Sequence, residues 1–473
     1  MRQVHFIGIG GIGMSGIARV LLEKGYRVTG SDIRPSSMMR KLEDLGASCF
    51  IGHSGQNIGS ADVVVVSSAI PEKNPELVEA RRRQIKVVQR AEMLGFLMQS
   101  VYGIAVAGTH GKTTTTSMIA AVLEQNGLDP TVVIGGELND IGSNARLGHD
   151  PYLVAEADES DASFLHLSPR MAVITSIDSD VNLNVMPYVA CNYDYDLTMK
   201  KIIENFKAFI ERLPGDGNVV LCIDNENVRN LYPSVGRRKI SYGLSPDADI
   251  RAEEITLAEF CSTSKISFKG KLLGNLHLRV PGRHNVQNAL AAIAIGLELG
   301  FSFEGIRKAL HAFPGVQRRF QILGEASGVL VVDDYAHNPS KIKAALHAAR
   351  TGWGKRVIAV FQPHRYSRTR FLFDEFSGAF NDADVLIVTD IYSAGEQPIV
   401  GMRGETLAEY IAQRAPHVEV LSIPKNDEVI AYLAQFAAPG DLVITLGAGD
   451  ICRVAEKLCE RLNMRHIQYA ATG

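Results

Sequence analysis

The chain predicts an α/β protein of three domains, and three observations carry that prediction. Short apolar strands alternate with helices along nearly the whole length, a pattern that builds parallel sheets flanked by helices. Two glycine-rich loops of different type, GIGGIG at Gly8–Gly13 and GTHGKT at Gly108–Thr113, each follow a strand and open a helix. The length of 473 residues exceeds what one hydrophobic core serves.

Composition narrows the class. A hydrophobic content of 46% with 21% charged residues is that of an ordinary globular protein. The net charge of −3 gives no electrostatic reason to expect nucleic acid or a membrane surface. Cys49, Cys191, Cys222, Cys261, Cys452 and Cys459 are scattered without a CxxC pair, as structural thiols in a reducing compartment are. No apolar run approaches the ~20 residues of a membrane helix. A strand is expected almost at once after Met1, so no signal peptide is expected. A cytoplasmic protein is expected.

The first domain opens with an apolar strand over 2–10 and a helix over 14–25. YRVTGSD then gives a strand ending at Asp32, and DVVVVSSAI (62–70) and KVVQ (86–89) continue the pattern. A fresh unit starts at Tyr102 with GIAVAG, so the first boundary falls near residue 100. Further strands are expected at 131–135, 152–157, 171–177 and 218–223. From about 239 to 281 the segments KISYGL, KISFKG and NLHLRV predict antiparallel additions. Helices at 285–299 and 303–313 lead to a second boundary at PGVQRRF (314–320). The third domain alternates again, with strands GVLVVDD, RVIAVFQ, DVLIVTD, HVEVL and DLVITLG.

Each loop suggests a ligand. Gly8-x-Gly10-x-x-Gly13 permits a tight turn and lets backbone amides approach a pyrophosphate at the helix start. Asp32, ending the next strand, is placed to accept from a ribose hydroxyl. The bland alternative is that the glycines only allow close helix–sheet packing. A nicotinamide dinucleotide is the default by fold analogy, yet nothing in the loop selects it. In the second loop, backbone amides cradle phosphates, Lys112 neutralises them and Thr113 ligates magnesium. This loop is shorter than the usual pattern, because Val106 stands where the first glycine would be. Glu156 ends a buried strand where an acid meets a magnesium held by Thr113. Asp158, Glu159 and Asp161 follow it, and any of them also fits a solvated loop. In PGRHNVQNALAA, His284, Asn285 and Asn288 stand at a helix start, suited to an adenine edge or, for Asn285, to a helix cap.

Two strands of the third domain end in polar runs. One carries Asp333, Asp334, Tyr335, His337 and Asn338, the other His364, Arg365, Arg368 and Arg370. Ligands in open α/β sheets bind beyond the carboxyl ends of strands, and arginines there suit carboxylate or phosphate. Arg318 and Arg319 are further anion candidates.

GIGGIGMSG, Asp32, GTHGKTTTT, the GG…GSNARLG run at 135–148, EADESDASFL, PGRHN..NA, RRF, DDYAHNP and FQPHRYSRT occur in that order. Together they resemble the Mur ligases of peptidoglycan synthesis over nearly the whole length. The resemblance implies an N-terminal Rossmann-like UDP-sugar domain (1–100), a central P-loop ATPase-like domain (101–314) and a C-terminal Rossmann-like, amino-acid-binding domain (315–473). It implies that Gly10, Gly11, Gly13, Met14, Ser15 and Asp32 hold UDP-N-acetylmuramate, with His53, Ser67 and Ser68 near the uridine. Gly108, Thr109, His110, Gly111, Lys112, Thr113 and Thr114 would bind ATP, with Asn285 and Asn288 on the adenine. Arg319, Asp334 and Tyr335 would serve the nucleotide side of the site. His337, His364, Arg365 and Arg368 would address L-alanine and its carboxylate. Lys112, His337, Arg365 and Arg368 are the expected catalytic residues. Mg2+ would sit on Thr113 and Glu156, with Asp178 and Asp180 as further candidates.

The implied reaction is ATP-dependent amide formation through an acyl phosphate. The first loop favours the member that adds L-alanine over the one that attaches a recycled tripeptide to the same sugar. A catalytically impaired binder of the UDP-sugar is a further alternative. A monomer or weak homodimer is expected, without nucleic acid and without membrane insertion.

One stretch departs from the family. After RMAVITSI the family usually shows Asn-x-Glu-x-Asp-His, whose histidine ligates a second magnesium. Here the run is Ser176-Ile177-Asp178-Ser179-Asp180-Val181, and valine cannot ligate metal. Three readings follow: Asp178, Asp180 or a nearby asparagine supplies the ligand, the second site is weak, or the local sequence is altered. Asn338, where a second histidine is usual, is a milder departure.

Overall fold

The computed structural model describes residues 2–67, 70–138, 143–159, 162–178, 195–258 and 260–472, and the side chains of all these except 136–138, 143, 195–198 and 464–472. The chain divides into two compact units. One comprises Met1–Glu254, Ser264–Leu278 and Asn285–Pro314. The other comprises Ile255–Thr263, Arg279–His284 and Gly315–Gly473. The α/β architecture has three domains, and the first unit carries two of them, each with its own sheet.

Among the described residues, the N-terminal sheet has five parallel strands. Their order is Ser48–Ile51, Arg27–Asp32, Gln3–Ile7, Val63–Val66, Lys86–Gln89. Val63–Val66 is four valines, all buried, as a strand covered by helices on both faces requires. The first glycine loop leaves the central strand Gln3–Ile7 and enters helix Ile12–Glu23. That helix has Gly11 as its N-cap with no side-chain cap, so its first amides face the loop's own concavity.

The central sheet has ten strands among the described residues. They run Lys271–Leu278, Cys261–Phe268, Ile250–Ala258, Arg238–Gly243, Asn218–Cys222, Met171–Ile174, Tyr102–Ala107, Tyr152–Glu156, Thr131–Leu138, Ser143–Arg146. The strand before the second loop, Tyr102–Ala107, has parallel neighbours on both sides, Met171–Ile174 and Tyr152–Glu156. The segments that follow each neighbour therefore end beside the loop. The stretch expected to add antiparallel strands opens with parallel ones. Arg238–Gly243 lies parallel to Asn218–Cys222, because helix Glu226–Leu231 crosses over and returns the chain in the same direction. Ile250–Ala258 also starts parallel, pairing Tyr242 with Ile250 and Gly243 with Arg251. The Asp249 carboxylate fastens this start by accepting from Ser241 N at 2.9 Å and Ser241 Oγ at 2.8 Å.

The C-terminal sheet has six strands among the described residues, ordered Gln321–Ala326, Val329–Asp334, Asp441–Leu446, Arg356–Phe361, Val385–Val388, Glu419–Ser422. Gln321–Ala326, which the sequence pattern did not mark, pairs antiparallel with Val329–Asp334. The other pairings are parallel. Asp441–Leu446 is buried throughout and lies between the two strands that carry the polar runs. Both runs thus emerge at one sheet edge, about 10 Å apart at two strand spacings. Among the described residues no helix is long and apolar enough to cross a membrane.

Candidate active site

The first loop is tied to its neighbouring strand. Gly8 N and Ile9 N donate to Ser31 O at 2.8 and 3.0 Å, and Gly10 N donates to Asp32 Oδ2 at 3.0 Å. Asp32, expected at a ribose, also holds the loop in place. Met14 and Ser15 point to the buried side of the helix, and Ser15 Oγ donates to Ile12 O at 3.0 Å. Gly11 lies exposed at the loop's tip. Ser67 is half-buried just beyond Val66, while Ser68 lies outside the described residues.

His53 Nδ1 lies 2.9 Å from Ser31 Oγ, which donates to Glu76 Oε2 at 2.5 Å. Glu76 is fully buried and also meets His5 Nε2 at 3.2 Å, Ser54 N at 3.1 Å and Asn57 Nδ2 at 2.6 Å. Burial alone would raise this carboxyl, but the bonds from His5, Ser31 and Asn57 outweigh it and hold Glu76 below its ordinary value. Glu76 carries no signal in the sequence, because it sits in an unremarkable PELVEARR helix. Only folding shows that it braces the loop bearing His53.

The second loop leaves no room for side chains at its glycines. Gly108 takes φ +134°, and a Cβ there would lie 2.1 Å from Thr175 Oγ1 and 2.8 Å from Ser176 N, so no other residue fits. Helix Lys112–Gln125 starts on Gly111 in the left-handed conformation with no side-chain cap. Thr109 and Thr114 are buried, and His110 N donates to Ser176 Oγ at 3.0 Å. Lys112 Nζ donates to Gly108 O at 2.6 Å and to both oxygens of Glu159, at 2.9 and 2.8 Å. Burial would lower this ammonium, but Glu159, then Glu156 and Asp158, raise it above the ordinary lysine value.

Thr113 Oγ1 donates to Glu156 Oε2 at 3.0 Å, and Gly135 N donates to the same oxygen at 2.7 Å. Two hard oxygen donors therefore stand together at the head of the phosphate loop. Magnesium asks for little more than this, since it keeps several waters and takes the rest from phosphate oxygens. Among the described residues no cluster of three or more His, Cys, Asp or Glu is arranged for a metal. Asp178 Oδ1 accepts from Asn225 Nδ2 at 3.0 Å, and its Oδ2 lies 3.4 Å from His110 Nε2. Its carboxylate thus faces the loop's histidine. Asp161, Asp180 and Val181 lie outside the described residues.

Asn285 is the third residue of helix Arg283–Glu298 and is buried, so the helix-cap alternative does not hold. Asn288 Nδ2 donates to Asn285 Oδ1 at 3.3 Å, and Asn288 Oδ1 accepts from Thr115 Oγ1 at 3.2 Å. Both asparagines therefore stand beside the first turn of the phosphate-loop helix.

In the second unit the two polar runs meet, and the histidines' protonation follows from their partners. Arg368 Nη1 donates to His364 Nδ1 at 3.1 Å. A guanidinium only donates, so Nδ1 is the acceptor and the ring is neutral. Burial, then Arg368 and Arg365, lower His364 to about 4. His337 Nδ1 donates to Tyr335 O at 2.8 Å, leaving Nε2 as an acceptor. Burial, then Lys341 and Arg368, push it well below the ordinary histidine value. The two histidines, expected at the alanine carboxylate, offer hydrogen bonds without charge. The charge of these runs rests on Arg365 and Arg368. His364 also stacks on Tyr392, with ring centroids 5.5 Å apart, and Arg365 holds φ +70° with its N–H on Tyr392 O at 2.8 Å. A non-glycine residue in that region stores strain, as ligand-binding residues often do.

Asp334 accepts from Phe320 N and Ala336 N, each at 2.7 Å, and burial raises its carboxyl to about 6. Tyr335 packs under Arg318 and Arg319, whose guanidinium carbons stand 4.9 and 5.2 Å from the ring centre. Arg318 bonds Asp333 Oδ2 at 3.1 Å and Gly447 O at 2.7 Å. Asn338 caps helix Pro339–Trp353 by accepting from Lys341 N at 3.0 Å, which gives the family departure here a structural role. Arg370 is exposed.

Three family descriptions match successive parts of the chain: "Mur ligase family, catalytic domain" over residues 3–102, "Mur ligase middle domain" over 106–296 and "Mur ligase, glutamate ligase domain" over 318–449. The chain is similar to the UDP-N-acetylmuramate--L-alanine ligase of Syntrophotalea carbinolica, with 52% identity over 465 residues, covering 98% of this chain and 99% of that one. It is similar to the enzyme of the same name from Geotalea daltonii, with 51% identity and 98% of each chain covered. Among solved structures it resembles UDP-N-acetylmuramate-alanine ligase from Thermotoga maritima (29% identity, TM-score 0.81, 98% of this chain and 99% of that one). A murein peptide ligase from Psychrobacter arcticus gives 25% identity and a TM-score of 0.70 over 98% and 99% of the two chains.

Proposed function

The chain belongs to the Mur ligase family, and from that premise we infer how its residues carry out the reaction. It is an ATP-dependent, ADP-forming ligase that joins L-alanine to the lactyl carboxylate of UDP-N-acetylmuramate in peptidoglycan precursor synthesis. The tripeptide-adding alternative is not favoured, and the nicotinamide reading of the first loop falls away with it.

The observation that best supports the chemistry is the constellation at the second loop, where Lys112, Thr113 and Glu156 converge. A carboxylate is a poor electrophile, so the lactyl oxygen first attacks the γ-phosphorus of ATP. ADP leaves and an acyl phosphate remains. The amine of L-alanine then attacks the acyl carbon, and the tetrahedral species expels inorganic phosphate as the amide forms. Lys112 places a fixed cation beside the transferring phosphoryl group. Thr113 and Glu156 are the residues to hold Mg2+, which when bound neutralises phosphate charge as a Lewis acid. Asn285 and Asn288 serve the adenine. The first loop, Asp32 and His53 serve the UDP-sugar. In the second unit, Arg365 and Arg368 pair with the alanine carboxylate, His364 orients Arg368, and His337 Nε2 offers a lone pair to the amine's departing proton. The cytoplasm, where nucleotide-linked sugars and ATP are found together, is the proposed location.

The test is phosphate release from ATP by the purified protein with UDP-N-acetylmuramate and magnesium, with and without L-alanine. Release that needs both substrates is expected. Release that ignores L-alanine but appears with the tripeptide would overturn the assignment. A second test addresses the departure at Val181. Val181→His is expected to lower the magnesium concentration giving half-maximal rate, because it adds the ligand the family usually has. An unchanged or higher requirement would mean that neighbouring groups already fill that place.

A further inference from the structure

We propose that Arg90 is a ligand of the diphosphate of the UDP-sugar, and that Asp158 is its counter-ion when that substrate is absent. The proposal rests on the reading of the first loop as the UDP-sugar site.

Arg90 opens helix Arg90–Met98, directly beyond the strand Lys86–Gln89, whose Gln89 pairs with Val66. It therefore stands at the same sheet edge as the first glycine loop. The guanidinium lies over that loop: a methyl group at Gly13 would come within 2.9 Å of Arg90 Nη1 and 3.2 Å of its Cδ. Gly13 thus makes room for a cation at the place where the loop's amides approach a pyrophosphate. A cation in the first turn of its own helix opposes the helix dipole, so helix stability does not account for an arginine here. An anion between loop and guanidinium does, through a fork of charge-assisted hydrogen bonds.

The partner that Arg90 has in the structure is loosely held. Arg90 Nη2 reaches Asp158 Oδ2 at 3.4 Å, and the two side chains are 24% and 40% exposed. Such a pair contributes little and exchanges easily for a doubly charged ligand. The next residue, Glu159, holds Lys112 in the same manner but closer, at 2.8 Å. Two consecutive acids thus occupy two cations, one at each glycine-rich loop.

UDP alone separates the diphosphate from the lactyl carboxylate, the other anion of the sugar substrate. Titration calorimetry with UDP and with UDP-N-acetylmuramate is the experiment, on wild type, Arg90→Ala, Arg90→Lys and Asp158→Asn. Arg90→Ala is expected to weaken both ligands by the same factor, about 10- to 100-fold. Arg90→Lys should fall between, since it keeps the charge and loses the fork. Asp158→Asn, which frees the guanidinium, should tighten UDP. ATP-analogue affinity and the melting temperature of Arg90→Lys should stay at wild-type values. Loss confined to UDP-N-acetylmuramate would overturn the proposal in favour of the carboxylate, and equal affinity of all variants for UDP would overturn it outright. Wild type that fails to bind UDP would instead overturn the reading of the first loop itself.

Discussion

Replacing Lys112 with alanine is expected to lower the rate of phosphate release by about 10³-fold or more, the scale of a cation that stabilises phosphoryl transfer. The first glycine loop is built from different residues, so UDP-sugar affinity should stay near wild type. The variant also breaks a buried pair, because both Lys112 and Glu159 have side chains only 14% exposed. Removing one partner of such a pair typically costs about 3–5 kcal/mol of stability. Lost activity could therefore be mistaken for lost fold. The double variant Lys112→Ala with Glu159→Gln resolves this, because it removes the stranded charge as well. Its melting temperature should recover while its turnover does not. Turnover that returned with stability would show that Lys112 acts only as a structural partner. Equal loss of UDP-sugar binding would count against separate nucleotide sites.

Glu156→Ala is expected to cost about 10²- to 10³-fold in turnover, comparable to losing a preorganised group at the developing charge. Its cause should be visible in the metal dependence. Glu156 Oε2 gathers Thr113 Oγ1 and Gly135 N, so it fixes a hard oxygen pair at the loop head. Without it, the magnesium concentration for half-maximal rate should rise, and higher magnesium should restore part of the rate. Glu156→Gln keeps the volume and one oxygen but drops the charge, and should lie between. A fall in rate with unchanged magnesium dependence would assign Glu156 to tying Thr113 to the strand Thr131–Leu138 and not to metal.

Much of this site was legible in the chain because its chemistry is local in sequence. A phosphate loop is one turn of backbone between a strand and a helix, so glycines, a lysine and a threonine at fixed spacing describe it completely. The same holds for the polar runs after Asp334 and Phe361. Arg90, Glu159 and Glu76 were not legible in the same way. Arg90 looks like an ordinary helix residue, and its place over Gly13, far away in the chain, exists only once Lys86–Gln89 joins the sheet. Glu76 reads as a surface acid of a charged helix until His5, Ser31 and Asn57 close around it. The protonation of His337 and His364 was hidden for a related reason. It depends on Arg368 donating to His364 Nδ1 and on burial, and neither is a property of the HNP or PHR segments themselves.

Strand direction divides along the same line. Alternation of apolar strands and helices sets the parallel sheets, because each crossover helix returns the chain to the same end. It gave no warning that Arg238–Gly243 would remain parallel, since a short apolar segment carries no sign of the direction of its partner. Contiguous stretches of the chain thus carried the family, the three α/β domains, the two glycine-rich loops and the kind of chemistry. Folding alone settles which acids neutralise Lys112 and Arg90, which imidazoles stay neutral, and how Asp441–Leu446 brings two distant runs to one end of the sheet. Those are properties of distance and burial, and a chain acquires them when strands far apart in sequence become neighbours.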